Sequence, residues 1–209
     1  MEQGFVYGKL RPEEIQLNPK EVAARLKTEQ GYTNPLIARC EESLMKALDC
    51  RYSGVKVTIS FPEKDVVDLG GFRTKSHSLC QNLKGCREAF LFAVTLGMGV
   101  ERMLNRLSLL SGSEFFVTDA LASAMAEAAC DAAEKRICGE ISFRPRFSPG
   151  YGDLSLEVQP FLLSRVQAQK LLGITLGASL LMSPMKSITA IMGVYHEDTR
   201  SNTEKTPLL

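Results

Sequence analysis

The spacing of apolar and polar residues over the first 50 positions predicts two helices. Asn18-Pro19 and Asn34-Pro35 each place a capping side chain before a proline at the first helical position, where a missing N–H is harmless. The first helix is expected to run to about Glu29 and to stop at Gly31. The second is expected over residues 36–48, because apolar residues recur there at helical spacing.

A strand signal follows these helices. Residues 55–61 (V-K-V-T-I-S-F) alternate strictly between apolar and polar, which predicts a half-buried strand. Pro62 is expected to close this strand, because proline cannot donate to a strand ladder. Residues 66–69 predict another short strand, which ends at Gly70-Gly71.

The middle of the chain is predicted to be helical. Residues 83–110 carry a helical pattern that is interrupted at Gly97-Met98-Gly99. These glycines lack the third glycine of a dinucleotide-binding turn and follow a predicted helix, so they are interpreted as a break between two helices. A long alanine-rich helix is then expected to begin at Thr118 or Asp119 and to run to about Cys138.

The last third of the chain differs in character. Residues 141–156 are rich in proline, glycine and arginine, which predicts a loop or extended region. Pro160 is expected to open a helix that ends near Leu172-Gly173. Residues 174–182 and 187–194 are predicted to form a final antiparallel pair of strands.

Together these elements predict an α+β fold, with a mainly antiparallel twisted sheet and several helices in a single domain. The chain has 209 residues, 44% of them hydrophobic, which is enough for a sizeable core. The domain is expected to span residues 1–195, with a helical N-terminal part over residues 1–50. The polar residues 196–209 predict a flexible tail.

Charge and hydropathy argue against several classes of protein. The 25 basic and 24 acidic residues nearly cancel, whereas a nucleic-acid binder normally carries a clustered basic surplus. No apolar run reaches the roughly 18 to 20 residues of a membrane span. Residues 1–10 also lack the apolar region of a secretory signal. A cytoplasmic protein is therefore expected.

Neither the cysteines nor the histidines predict a metal site. The six cysteines include no C-x-x-C pair, and only His77 and His196 could join them as imidazole ligands. Reduced thiols, several of them buried as small apolar groups, are expected. Ser78 lies beside His77 and Cys80 but has no evident acid partner, so no catalytic residue is assigned.

Two segments are candidates for ligand binding. Residues 144–153 (R-P-R-F-S-P-G-Y-G-D) combine two guanidinium groups, a tyrosine and flexible glycines, which suits either an anion-binding loop or a solvated connection with a turn. Glu127 lies in the alanine-rich helix, with Asp131 and Glu134 on the same side. These carboxylates are interpreted either as partners for a ligand ammonium group or as an acidic, solvated helix face.

The two segments together resemble the activation domain of cobalamin-dependent methionine synthase. Residues 121–131 (L-A-S-A-M-A-E-A-A-C-D) are similar to that domain's Leu-Ala-x-x-x-Ala-Glu-Ala helix. Residues 146–151 (R-F-S-P-G-Y) are similar to its Arg-Pro-Ala-x-Gly-Tyr motif. Their order and separation also agree, and the resemblance extends over most of residues 83–194. It implies the fold of that activation domain in a free-standing protein.

The resemblance implies roles for individual residues. Arg146 would bind the methionyl carboxylate of S-adenosylmethionine, and Glu127 would bind its ammonium group. The backbone from Ser148 to Gly150 would hold the nucleoside, and Tyr151 would face the corrin ring. Neither a metal ligand nor a general acid or base is implied.

The resemblance implies that the chain reactivates a corrinoid. It has no D-x-H-x-x-G segment, through which methionine-synthase-type modules ligate cobalt, so cobalamin would be held by a partner. The expected partners are a cobalamin-dependent methionine synthase without its own activation domain and a flavodoxin- or ferredoxin-like electron donor. The chain would bind S-adenosylmethionine and support reductive remethylation of cob(II)alamin. The alternatives are another corrinoid methyltransferase protein as partner, or a non-catalytic module that binds S-adenosylmethionine or corrinoid.

Two stretches depart from the synthase. Gly152-Asp153-Leu154 follows the Gly-Tyr pair, where the synthase has Pro-Ala-Cys-Pro-Asp-His. Ser187 and Ile188 lie near the position of a tyrosine pair in the synthase. Part of the cofactor pocket and part of the corrin-facing surface are therefore expected to differ.

Overall fold

The computed structural model of the protein describes residues 4–26 and 34–195. The strands are β1 (Phe5–Lys9), β2 (Arg51–Thr58), β3 (Ser60–Glu63), β4 (Val66–Asp68), β5 (Arg73–Lys75), β6 (Glu88–Thr95), β7 (Thr175–Leu176), β8 (Met182–Ser183) and β9 (Ser187–Gly193). The helices are α1 (Pro19–Leu26), α2 (Pro35–Ala47), α3 (His77–Asn82), α4 (Met98–Leu110), α5 (Gly112–Cys138), α6 (Gln159–Arg165) and α7 (Ala168–Leu172). The predicted end of the first helix and the predicted tail, residues 196–209, lie outside the described residues.

A four-stranded antiparallel sheet in the order β1-β2-β6-β9 forms the centre of the fold. Helices α1, α2, α4 and α5 cover one face and share one apolar cluster with it. Helices α3, α6 and α7 and the small sheet β3-β4-β5 enclose a second cluster on the opposite face. The predicted α+β class with a mainly antiparallel sheet is confirmed. None of the described helices is long and apolar enough to cross a membrane.

Strand β6 lies at the centre of the sheet, so the helical prediction for residues 83–110 is wrong there. Phe90, Phe92 and Val94 enter the cluster under the long helices. The alternate residues Ala89, Leu91 and Ala93 enter the cluster on the other face. A strand buried on both faces reads as a continuous apolar run, and such a run lacks the alternation that distinguishes a strand from a helix.

Gly97 and Gly99 lie at the junction of β6 and α4, so they do not separate two helices as predicted. A Cβ on Gly97 would lie 2.8 Å from the carbonyl oxygen of Asp49, and one on Gly99 would overlap the carbonyl of Ala47. Gly97 also has a φ of 89°. The two glycines therefore let α4 start in contact with the backbone that follows α2. Because the surrounding sheet is antiparallel, this turn lies outside any parallel βαβ unit.

Helix α5 is longer than predicted, since it begins at Gly112 instead of Thr118 or Asp119. Ser111 caps it by accepting from the backbone N–H of Glu114. The Gly-Ser opening has low helix propensity, so the sequence gives no helical signal for the first turns. The helix packs closely on the sheet, because Gly54 of β2 leaves room for Ile137.

The C-terminal elements are arranged differently from the predicted pair. Strand β9 pairs with β6, and Thr175–Leu176 pairs instead with Met182–Ser183 in a separate hairpin. The single predicted helix after Pro160 is divided into α6 and α7 by Gln167, which has a φ of 51°. Pairing with β6 places both faces of β9 in the core, which is more favourable than an isolated hairpin.

The strands of the first 63 residues differ from prediction, since the single strand expected over residues 55–61 is divided between β2, which begins at Arg51, and β3. Strand β1 pairs with β2, so the N-terminal part that was predicted to be helical also contributes an edge strand. Pro62 lies inside the short edge strand β3, where proline is tolerated, rather than closing β2. Glu14 forms an ion pair with Arg136 of α5, which ties this N-terminal part to the long helix.

Candidate functional site

Helix α5 presents a line of polar side chains toward the edge of the sheet. They recur every three or four residues, and this spacing places them on one side of a helix: Asp119, Ser123, Glu127, Asp131 and Glu134. Each contacts a basic side chain from outside the helix. The predicted common side of Glu127, Asp131 and Glu134 is therefore confirmed, and all three carboxylates contact one cation, although Asp131 is also exposed to solvent.

The segment 143–147 follows the free edge of β9. The backbone groups of Phe147 and Ile191 exchange two hydrogen bonds of 2.9 Å, and the N–H of Arg144 donates to the carbonyl of Gly193 at 2.8 Å. Neighbouring side chains in an extended segment point to opposite sides. Phe147 accordingly packs on the cluster of α3 and α6, whereas Arg146 extends to α5.

Arg146 lies at the centre of three carboxylates. Its Nη2 donates to Glu127 at 2.8 Å, and its Nη1 donates to Asp131 and to Glu134 at 2.7 Å each. The arginine side chain is only 24% exposed, and that of Glu134 is 12% exposed. The arrangement brings together the two segments that the sequence marked separately as ligand-binding candidates.

One guanidinium among three carboxylates leaves two negative charges uncompensated. Burial alone would lower the pKa of Arg146, but hydrogen bonds to Glu134 and Asp131 outweigh it, so the pKa is raised and the cation is permanent. Burial raises the pKa of Glu134, because the shared guanidinium offsets only part of the desolvation. The site as a whole favours an additional positive charge.

A tight turn follows Arg146 and exposes Tyr151. The N–H of Tyr151 donates to the carbonyl of Ser148 at 3.1 Å, and the N–H of Gly150 donates to Leu154 at 2.8 Å. Gly150 has a φ of 89°, which favours glycine at this position. The ring of Tyr151 meets Phe147 edge-on and is 57% exposed, so it presents an aromatic surface to solvent.

Asp153 anchors the end of this turn to the start of α3. Its carboxylate accepts hydrogen bonds from the hydroxyl of Ser76 at 2.5 Å, from the N–H of His77 at 2.7 Å and from the N–H of Ser78 at 3.1 Å. The Ser76 hydroxyl is the main cause that holds the pKa of Asp153 well below its ordinary range. The stretch Gly152-Asp153-Leu154, which differs from the synthase, therefore attaches the loop to α3.

Two adjoining cavities lie beside Arg146 and Glu127. The first, of about 180 Å³, is lined by both of these residues together with Ser148, Pro149, Tyr151, Gln159, Met182, Ser187, Ile188 and Thr189. The second, of about 250 Å³, shares Glu127, Ser187 and Ile188 with it and adds Lys186. Each alone is smaller than the roughly 300 to 1,000 Å³ of a typical small-molecule site, but the two together are large enough.

Four of the five predicted ligand-binding residues line the smaller cavity. Glu127, Arg146, Ser148 and Tyr151 are brought together there, whereas Gly150 forms the turn without lining it. Sequence reasoning missed Gln159, Met182 and Thr189. Thr189 could have been found, because Ser187 and Thr189 are alternate polar residues in an otherwise apolar strand.

The departures at Ser187 and Ile188 both lie in this site, since each lines both cavities. The hydroxyl of Ser187 donates to Thr95 at 2.8 Å, and that of Thr189 donates to Gln159 at 2.6 Å. Buried hydroxyls with satisfied hydrogen bonds form a fixed wall. Near the position of the synthase's tyrosine pair, the site is therefore lined by smaller side chains, the hydroxyl of Ser187 and the aliphatic Ile188.

Lys186 lines the second cavity but is already paired. Its Nζ lies 2.8 Å from both Asp119 and the hydroxyl of Ser123, and its side chain is 14% exposed. The charge of Lys186 is therefore compensated by Asp119. It joins β9 to α5 next to Glu127.

A larger cavity lies away from these residues, between α6, α7 and β7. Its volume is about 600 Å³, and its lining includes Lys170 but no carboxylate. A zwitterionic ligand needs partners for both of its charges. The smaller site offers a guanidinium and a carboxylate 2.8 Å apart, so it is chemically the better candidate despite its size.

The serine, histidine and cysteine cluster near residue 78 has a partner that the sequence did not indicate. Nδ1 of His77 lies 2.7 Å from Asp65, at the turn between β3 and β4. Ser78, however, hydrogen-bonds Asp153 through its N–H and its side chain. The pair of His77 and Asp65 therefore lacks a serine nucleophile within this cluster.

The cysteines of the described chain are free thiols, and five of the six are buried. Burial raises the pKa of both Cys50 and Cys138 to about 12. A thiol with such a pKa is protonated at neutral pH and is a poor nucleophile. These residues act as small apolar core groups, as predicted.

No family model matches this sequence, and no curated protein matches it. Among solved structures, the fold is similar to a crystal structure described as the MetH reactivation domain bound to AdoHcy. The TM-score is 0.71 at 13% sequence identity, over 91% of this chain and 78% of that chain. The fold implied by the resemblance is therefore confirmed.

Proposed function

We propose that this protein binds S-adenosylmethionine beside Arg146 and supports reductive remethylation of cob(II)alamin on a separate cobalamin-dependent methionine synthase. The observation that carries the proposal is the convergence of Glu127, Arg146, Ser148 and Tyr151 on one cavity. These residues come from two segments of the chain, and the fold is that of a domain whose crystal structure contains AdoHcy.

The charges of the site suit the methionyl part of the ligand. Arg146 would bind the carboxylate, because a guanidinium forms strong, charge-assisted hydrogen bonds to carboxylate oxygens. Glu127, which now accepts from Nη2 of Arg146 at 2.8 Å, would turn to the ammonium group. The exchange replaces one ion pair by two, and the excess of negative charge at Asp131 and Glu134 remains.

The remaining excess of negative charge would favour the sulfonium centre. S-adenosylmethionine supplies an electrophilic methyl group, and the task of this chain is to hold it in line with an incoming nucleophile. Ser148 and Pro149 would contact the nucleoside from the turn. Tyr151, exposed beside the cavity, would present its ring to the corrin of the partner.

The reaction requires two further participants. One electron from a flavodoxin- or ferredoxin-like donor and one methyl group from S-adenosylmethionine would pass to the cobalt centre of the partner, and S-adenosylhomocysteine would remain on this chain. The chain would therefore contribute no general acid or base. It would act as the reactivation subunit of its partner and be inactive alone.

Two local differences from the synthase support a second candidate partner. Ser187 and Ile188 line the site near the position of the synthase's tyrosine pair, and Asp153 ties the following loop to α3. Both features alter the surface near Tyr151 that would meet a corrinoid protein. Another corrinoid methyltransferase protein is therefore the alternative partner, and co-purification with each candidate protein separates the two.

The proposal also has a non-catalytic rival, a module that binds S-adenosylmethionine or corrinoid without methyl transfer. In that case, ligand binding would not lead to methylation of the partner's cobalt. Single-turnover assays with a methyl-labelled ligand, a reductant and a cobalamin-loaded methionine synthase distinguish the two. Label that stays on the sulfonium would favour the binding module.

Calorimetric titration with S-adenosylmethionine tests the ligand directly. We expect saturable binding that Arg146→Ala weakens by about 10- to 100-fold, the usual effect of removing a charged hydrogen-bond donor. Arg144→Ala is the matched control, because Arg144 belongs to the same segment but donates to the carbonyl of Lys84 and stacks on Tyr195. Equal affinity of the Arg146 variant and the wild type would contradict the site.

A further inference from the structure

The two arms of the Arg146 guanidinium contact different sets of carboxylates. Nη1 uses both of its protons, since it donates to Asp131 and to Glu134. Nη2 donates to Glu127, which leaves one of its two protons for a further acceptor. The guanidinium is therefore fixed through Nη1, whereas Nη2 can still donate to a further acceptor.

The cavities coincide with the open side. Arg146 and Glu127 line the smaller cavity, whereas Asp131 and Glu134 line neither of the two beside it. Glu134 is also the least exposed of the three acids, at 12% of its side-chain surface. A ligand in the cavity would thus meet Nη2 and Glu127 but not the pair that holds Nη1.

We infer that Asp131 and Glu134 are positioning residues that hold Arg146 by Nη1 and so direct Nη2 toward the carboxylate of the ligand. This inference rests on the proposed function, because it assumes that an amino-acid carboxylate binds at Arg146. Glu127 is the carboxylate that changes partner on binding, and the other two stay in place.

The contacts of Arg146 would also allow the carboxylates to compete with the ligand, and competition predicts the opposite change in affinity. If all three carboxylates competed with the ligand for the guanidinium, removal of one would tighten binding. If they orient it, removal of Glu134 loosens a side chain with several rotatable bonds, and binding weakens. The sign of the change in affinity therefore decides between orientation and competition.

The test compares two ligands that differ only in the carboxylate. S-adenosylmethionine and its decarboxylated analogue are titrated calorimetrically into the wild type, Glu134→Ala and Glu134→Gln. We expect Glu134→Ala to weaken binding of S-adenosylmethionine about tenfold and that of the analogue less than about twofold. Glu134→Gln should restore much of the loss, since its amide oxygen still accepts from Nη1.

Glu140→Ala serves as the control for charge at a distance, because Glu140 is exposed just beyond the end of α5. A purely electrostatic role of Glu134 predicts equal losses for the alanine and glutamine variants, and at least as large a loss for the more cationic analogue. Either that pattern or tighter binding by Glu134→Ala would overturn the inference. Failure of the wild type to bind S-adenosylmethionine at all would instead overturn the proposed function.

Discussion

The two ends of the segment 146–153 are fastened by opposite kinds of electrostatic contact. At one end, a single cation, Arg146, is shared among three carboxylates of α5. At the other end, a single anion, Asp153, is shared among three donors at the start of α3. Tyr151 and the turn that exposes it lie between the two.

The difference between the ends lies in how well each charge is compensated. The donors around Asp153 are neutral and hold its pKa well below the ordinary range. The charge of Asp153 is therefore fully compensated by hydrogen bonds, and the contact is structural. Around Arg146, negative charge is in excess and burial raises the pKa of Glu134. Titratable groups with shifted pKa values are common at ligand-binding and catalytic sites.

The largest effect on stability is expected from Arg146→Ala. Its removal leaves three carboxylates without their cation, which we expect to lower the free energy of unfolding by about 2 kcal/mol at neutral pH. Because the pKa of Glu134 is already raised above 4.5 and would rise further, the deficit should shrink as the pH falls toward 4.5. Urea unfolding at several pH values measures it, and a deficit that does not depend on pH would contradict the assignment.

A smaller effect is expected from Asp153→Ala, since Asp153 is an exposed residue with neutral partners. The folded pKa of Asp153 lies below the ordinary value of 3.8 for an aspartate, so the contribution of Asp153 to stability is present above that pH and is lost as the pH falls below it. Thermal melts of this variant and the wild type should therefore converge in acid. The Asp153→Asn variant, which keeps one acceptor oxygen, should lie between the two at neutral pH.

The smallest effect is expected from Gly152→Ala, at about 1 kcal/mol. Gly152 has a φ of 54°, and a Cβ there would lie 2.8 Å from the hydroxyl of Ser78. The added methyl group would thus disturb the Asp153 end and leave the Arg146 end intact. Chemical denaturation measures the loss, and calorimetry should show unchanged binding of S-adenosylmethionine. A large loss of binding would mean that the two ends are coupled.

Local sequence patterns determined several parts of this molecule. The proline-capped starts of α1 and α2 were predicted to the residue, because Asn-Pro acts through contacts within one helical turn. The common side of Glu127, Asp131 and Glu134 was also predicted, since helical spacing alone places them there. The motif that resembles the activation domain was enough to make Arg146 and Tyr151 candidates for ligand binding.

The tertiary structure decided what depends on contacts between distant segments. Strand β6 reads as helix because its burial on both faces removes the alternation of a strand, and only its neighbours β2 and β9 fix its conformation. Likewise, the line of acids on α5 could have faced solvent. It faces Arg146 because the segment 143–147 pairs with β9, and no pattern within either segment encodes that pairing.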